Sequence, residues 1–201
     1  MPRRLLPWAI LLFLIASKDF AQERTKWAIA VHGGAGSAEW EHMDPETANE
    51  YRASLTRALL AGTARLKAGA AAIDAVEGAI VVLEDDPLFN AGRGAAFNAE
   101  GKNEMDASIM DGATLGAGAV AGVRSTKNPI SLARAVMQHT QHVMLIGPGA
   151  DTFAARAGLP QMPPSYFFTE RRWQEFVAIM QQSGRPVPPR PVPAAASPEE
   201  P

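Results

Sequence analysis

Apolar positions recur with two different periods along this chain, and the change of period separates its parts. Trp27-Ala-Ile-Ala-Val31 is a short apolar run closed by His32-Gly33-Gly34, which predicts a buried strand ending in a tight loop. Asp44-Pro45 then supplies an N-cap followed by proline at the first helical position. Tyr51, Leu55, Leu59, Gly62 and Leu66 line one helical face, and Gly69 supplies the stop. A second helix carries Ile73, Val76, Ile80 and Leu83 at the same spacing and breaks at Asp86-Pro87. Between residues 95 and 123 the period falls to two: Met105, Ala107 and Ile109 face one way, and Asp106, Ser108 and Met110 the other. Asp111-Gly112 marks a turn, and small residues at 117–123 form the returning strand. Asn128-Pro129 opens a helix through Gln138, and residues 142–146 form a strand. Gly147-Pro148-Gly149 and a short helix to Ala157 follow. A last amphipathic helix begins at Thr169, with Trp173, Phe176, Val177 and Met180 on its buried face. Helices and strands are mixed without strict alternation, which favours a layered mixed sheet over a doubly wound parallel one.

The two ends read differently from the middle. Arg3 and Arg4 precede an apolar run over residues 5–16, and polar Ser17, Lys18 and Asp19 follow it. A transmembrane helix wants ~18 or more apolar residues, so the run fits a secretory signal over residues 1–21. Cleavage could follow Ala21 or Ala16, an uncleaved anchor is the alternative, and a secreted or periplasmic location is expected. Residues 184–201 collect prolines at Pro186, Pro188, Pro189, Pro191, Pro193, Pro198 and Pro201 and hold no aromatic side chain. Such a stretch buries too little surface to offset its ordering entropy, and reads as a disordered linker with something expected downstream. The net charge of −2 gives no electrostatic reason to expect nucleic acid as a partner. With no cysteine, disulfides, thiolate metal sites and cysteine nucleophiles are excluded.

Three segments carry a resemblance. The first is His32-Gly33-Gly34-Ala35-Gly36, directly after the first apolar run. The second is Asp85-Asp86-Pro87-Leu88-Phe89-Asn90-Ala91-Gly92-Arg93-Gly94-Ala95-Ala96-Phe97-Asn98, continued by Glu104-Met105-Asp106-Ala107-Ser108-Ile109-Met110-Asp111-Gly112. The third joins Gly118-Ala-Val-Ala-Gly122 to Lys127-Asn128-Pro129-Ile130-Ser131-Leu132-Ala133-Arg134 and His142-Val143-Met144-Leu145-Ile146-Gly147. Together they resemble the isoaspartyl peptidase/plant-type L-asparaginase family over residues 27–153. The middle segment is the specific one, because a long ordered string of Asn, Gly and Asp rarely arises by chance.

The resemblance implies an α+β protein, a four-layer αββα sandwich of the N-terminal-nucleophile type made as one precursor. The family precursor cuts itself before a threonine, whose freed α-amino group then acts as base for its own hydroxyl. Members hydrolyse L-asparagine or β-linked isoaspartyl dipeptides. Residues 22–183 would be the α part, inactive without a β part led by threonine, and an (αβ)2 heterotetramer is implied. The family's nucleophile lies in a Gly-Thr-Val-Gly stretch, which these 201 residues do not contain. The only Gly-Thr pair, Gly62-Thr63, sits within a predicted helix. Glycosylasparaginase is the alternative within the superfamily, and a truncated non-catalytic binding module is the alternative outside it.

Candidate residues carry more than one reading. The His32–Gly36 glycines let backbone approach a reacting centre, making an active-site wall, or merely form a tight turn; a phosphate cradle would need a Gly-Lys-Ser/Thr ending. The Asn90 amide offers donor and acceptor without titrating, which suits holding a threonine amine and hydroxyl; it could also be a turn residue before Ala91-Gly92. Glu84, Asp85 and Asp86 are adjacent on one helix and so are expected to end it on a solvated face, not to act together. By resemblance, the main-chain carbonyls of Leu83, Glu84, Asp86, Phe89, Ala91 and Arg93 wrap a structural sodium ion, and no other cofactor is expected. Asp106 and Asp111 read as structural. His139 and His142 have the three-residue spacing of metal ligands, but the predicted helix ends between them, so His139 reads as a C-terminal cap.

Overall fold

The alternating stretch folds into the hairpin its period predicts. The computed structural model describes residues 27–34 and 42–191. In it, β1 (Met105–Met110) and β2 (Ala117–Val123) pair antiparallel, with Met110 opposite Ala117 and Ile109 opposite Gly118. The ladder is irregular between Met105 and Ala107, and there the Asp106 carboxylate accepts the Gly122 N–H at 2.8 Å. At the hairpin tip the Asp111 carboxylate accepts from Ala113 N–H and the Thr114 hydroxyl. Both aspartates are therefore tied into backbone structure. β3 (Met144–Ile146) adds to β2 in parallel, giving a mixed sheet of order β1-β2-β3.

Helices cover one face of this sheet. α3 (Pro129–His139) lies directly on β2, because Gly118 has no Cβ; one there would strike the Ala133 carbonyl. α4 (Gly147–Arg156) completes the cover with Ala150 and Ala154. Val120, Val123, Ile130, Leu132, Ala133, Val136 and Phe167 of the short helix α5 (Pro164–Phe167) form the fully buried centre. Asp151 on α4 ties the end of β2 to this layer, accepting Arg124, Ser125 and Thr126 N–H groups and the Thr126 hydroxyl. The opposite sheet face carries Asp106, Ser108, Ala119, Ala121, Met110, Met144 and Ile146, the last three 50–68% exposed.

α1 (Pro45–Lys67) and α2 (Ala72–Glu84) pack against each other on their small residues. Asp44 caps α1 as expected, accepting Thr47 N–H at 2.9 Å. The buried stripe of α1 is Ala48, Tyr51, Ser54, Ala58 and Gly62, and that of α2 is Ala75, Gly78, Ala79 and Glu84. Leu59 and Val76, expected inside, are exposed. The cause is close approach: a Cβ on Gly62 would lie 3.0 Å from the Ala75 carbonyl, so the contact admits only small side chains and turns the larger ones outward.

The strand expected at residues 27–31 does not form. Trp27, Ile29, Val31 and Gly33 are half-buried and Ala28, Ala30, His32 and Gly34 exposed, so the two-residue period is kept. A strand also needs a ladder partner, and among the described residues none lies alongside. α6 (Glu170–Gln182) starts at its Thr169 cap, which accepts Arg172 N–H. Its Trp173, Phe176 and Met180 make a second, smaller core with Phe97 and Phe168. Residues 184–191 have no helix or strand; Arg190 pairs with Glu170 and lies over the Phe168 ring at 5.3 Å. Helices beside a small mixed sheet make the α+β class expected. Residues 1–21, Ala35, Gly36 and residues 192–201 lie outside the described residues.

Candidate active site

The segment from the last turn of α2 to β1 is held by side chains from α1, α5 and α6 and by Lys127 and Asn128 just before α3. Its three consecutive carboxylates diverge as helix geometry requires, about 100° apart in direction, and each finds a different partner. Glu84 is only 3% exposed and its Oε1 accepts the Ile130 N–H at 2.8 Å, satisfying a free donor of the first turn of α3. Burial pushes its carboxyl up to about 8, against the lowering pull of that N–H and of Asn128. Its Oε2 has no hydrogen-bond partner among the described residues. Asp85 accepts from Lys127 Nζ at 2.9 Å, Asn128 Nδ2 at 3.1 Å and the Tyr166 hydroxyl at 3.3 Å. Asp86 accepts from the Ser54 hydroxyl, Arg57 Nη2 at 2.7 Å and the Leu88 N–H at 3.0 Å. The solvated helix end expected for this trio is therefore corrected: each carboxylate ties α2 to another segment.

Beyond Asp86 the chain closes on itself. Phe89 is buried edge-on against Tyr51, centroids 5.5 Å apart. Arg93 N–H donates back to the Glu84 carbonyl at 2.7 Å, and Gly94 N–H to the Phe167 carbonyl at 3.1 Å. Gly92 and Gly94 have φ of +57° and +99°, angles that favour glycine. A Cβ on Gly94 would sit 2.8 Å from the Pro87 and Phe89 carbonyl oxygens, so those oxygens converge on a space that only glycine leaves open. Asn90 stands between the buried Phe89 and Gly92. It is exposed, and its amide makes no hydrogen bond to any described residue.

The structure brings the other candidate segment to the same place. A Cβ on Gly33 would lie 3.2 Å from Leu55 and 3.6 Å from the Phe89 ring, which sets the glycine loop beside the neighbour of Asn90. His32 is exposed and its Nδ1 accepts the Gly34 N–H at 3.2 Å. The acidic and histidine side chains do not form a metal centre: among the described residues no three His, Cys, Asp or Glu converge to hold an ion, and His139 and His142 are both exposed. The backbone is a different matter. The Glu84 and Asp86 carbonyls each take one N–H, from Arg93 and Phe89, which leaves a lone pair on each, while the Leu83 carbonyl is approached by the N–H groups of Asp85 and Asp86. The Glu84 carbonyl oxygen lies against Gly92, and those of Pro87 and Phe89 against Gly94; a hard cation favours oxygen ligands of this kind.

Sequence reasoning missed the clamps. Tyr51, Arg171, Arg172 and Tyr166 all reach this segment, through Leu88, Gly94 and Asp85. The spacing of Arg171 and Arg172 from Glu175 signals local ion pairs, but nothing in it signals contacts to a loop some 80 positions away.

A family model described as asparaginase matches residues 25–197. A putative isoaspartyl peptidase/L-asparaginase of Dictyostelium discoideum is 45% identical over 152 residues, which is 76% of this chain and 44% of the relative. A plant-type L-asparaginase of Pyrococcus abyssi is 51% identical over 74% of this chain and 47% of its own length. The isoaspartyl peptidase of Escherichia coli is 41% identical over 81% and 53%. The chain thus spans about half the length of the curated relatives it matches. It belongs to the asparaginase family that includes isoaspartyl peptidases and plant-type L-asparaginases.

Proposed function

We propose that this chain is the α part of a self-processing threonine amidohydrolase that cleaves β-aspartyl dipeptides and L-asparagine. A β part led by threonine completes it, in an (αβ)2 heterotetramer in the periplasm or outside the cell. The observation that carries the reading is Asn90: an exposed amide without a partner among the described residues, on a loop tied down around it and beside the His32–Gly34 loop. An amide so placed donates to one atom and accepts from another, and does not change charge with pH. In the proposed reaction the threonine amine takes the proton of its own hydroxyl, and that oxygen attacks the substrate's side-chain carbonyl. The C–N bond then breaks, the ammonium returning the proton to the departing ammonia or amino acid. Water hydrolyses the resulting ester, which releases aspartate and frees the threonine. Asn90 holds the amine and hydroxyl in register for the first proton transfer. The glycine loop, with Ala35 and Gly36, forms the adjoining wall, where lack of side chains lets the backbone come close.

The β part would bring a second sheet to the open face of the first, completing four layers. A structural sodium ion held by the carbonyls of Leu83, Glu84, Asp86, Phe89, Ala91 and Arg93 is part of this reading, supported by the approach of the Glu84 and Phe89 oxygens to Gly92 and Gly94. The test is hydrolysis by the α–β complex, read as ammonia from L-asparagine and amino acid from a β-aspartyl dipeptide. Asn90→Ala lowers turnover about tenfold to a thousandfold, on the scale of losing one or two positioned hydrogen bonds, with little change in Tm. A folded complex that cleaves neither substrate overturns the reading in favour of a binding module, and one that cleaves only a glycan–asparagine link overturns the substrate class.

A further inference from the structure

Two consecutive arginines on α6 converge on the loop that carries Asn90. Arg172 grips it at both ends: Nη2 donates to the Leu88 carbonyl at 3.0 Å and Nε to the Gly94 carbonyl at 3.1 Å. Arg171 reaches the first of these through a relay, its Nη2 donating to the Tyr51 hydroxyl at 2.9 Å and that hydroxyl donating to the Leu88 carbonyl at 3.0 Å. Glu175 orients both, accepting from Arg171 Nε at 3.1 Å and Arg172 Nη1 at 2.6 Å. Arg172 has 16% of its side chain exposed, so water competes little for these bonds. The helix that presents it is itself anchored by the Thr169 cap and the neighbouring Trp173 core.

A guanidinium is a rigid planar fork, and one with three donors engaged sets the distance between the acceptors it joins; an ammonium on a flexible stem does not. The acceptors here flank Asn90, two residues before it and four after, and none of the bonds touches the Asn90 amide itself. We infer that Arg172 is the positioning residue of the site: it fixes the span from Leu88 to Gly94 and so the direction in which Asn90 points. The inference rests on the reading of Asn90 as the support of the nucleophile. α6, with its small aromatic core, acts as a brace behind the loop.

The test compares wild type, Arg172→Lys and Arg172→Met in the α–β complex, by steady-state kinetics and by amide hydrogen exchange. In both variants kcat falls about tenfold to a hundredfold, the scale of a misplaced catalytic group, with KM within about threefold. The lysine variant, which keeps the charge and loses the fork, is not rescued. Amide exchange over residues 88–95 quickens while α3 keeps its protection. Unchanged exchange over residues 88–95, unchanged kcat, full rescue by lysine, or loss of protection throughout α3 each overturns the inference. A wild-type complex without hydrolysis would instead sink the proposed function, and exchange, which needs no turnover, tells the two failures apart.

Discussion

The layer around β2 and α3 and the loop over residues 85–94 are both rigidly held, by opposite means. In the first, Leu132, Ala133, Val120 and Val123 are buried without a polar group among them. In the second, Phe89 is the main apolar anchor and the rest is hydrogen bonds from Ser54, Arg57, Tyr51, Arg172 and the loop's own amides. Burial is non-directional and tolerates any shape-matched side chain, whereas hydrogen bonds fix where a backbone atom points. A loop that aims one amide, as proposed for Asn90, needs the second kind. The layer that supports it needs only the first.

Substitutions on the two sides separate stability from aim. Leu132→Ala carries the largest stability loss, about 2–5 kcal/mol, because it deletes fully buried methyls and leaves a cavity. Thermal or denaturant melting of the purified protein reads it, and a loss under about 0.5 kcal/mol, the scale of a surface change, would break the comparison. Glu84→Ala, at the join of the two regions, comes next at about 1–3 kcal/mol, since it strands the Ile130 N–H; Glu84→Gln keeps an acceptor and loses less.

Asp151→Asn tests by pH a polar tie at the edge of the β2 layer. Burial alone would raise this carboxyl, but the N–H groups of Arg124 and Ser125 and the Thr126 hydroxyl outweigh it and hold it below the usual value. A folded-state pKa below the unfolded one stabilises above the unfolded value and is lost as pH falls through the folded one. The wild type therefore loses stability on acidification below about pH 4, and Asp151→Asn starts lower at neutral pH and falls less steeply. Parallel curves would remove Asp151 from the account. The smallest effect is expected at Asp86→Asn. The Arg57 pair is more than half exposed on the arginine side and so worth little. The rise in Tm on exchanging a bulky organic cation for sodium stays nearly unchanged in Asp86→Asn, because the proposed ligands are carbonyls. Loss of that rise in the variant alone would move the ion to the side chains.

Elements with a clean period were legible in the sequence. The 105–123 hairpin, the cap at Asp44, the helix start at Thr169 and the Trp173–Met180 stripe stand as the sequence predicts. The faces of α1 and α2 were legible only in part: Tyr51 and Gly62 are buried as expected, but Leu59 and Val76 are exposed, because the contact is set by the closeness of Gly62 to Ala75, and the smallness of Ala75 carries little hydrophobic signal. Residues 27–31 have a strand's period, but pairing depends on a neighbour that local pattern cannot supply. In the site, Asn90 and Gly33 were singled out only through the motif resemblance, and the structure sets Gly33 beside Phe89, the neighbour of Asn90. The burial of Glu84 was not, since an acidic run at a helix end has the same composition whether it faces water or the N-terminus of another helix. Arg172 was equally hidden, because its partners lie far away in sequence.

The two sheet faces also differ in chemical vulnerability. Met105 lies under the helices, while Met110 and Met144 stand exposed on the other side, where a peroxide reaches their thioether sulfurs directly. Sulfoxide formation follows exposure and turns an apolar side chain polar. Oxidation of both would make this face more polar, against any apolar surface that packs onto it. The same pair of sulfurs makes the face self-reporting: their rate of oxidation, set against that of Met105, measures how completely it is covered.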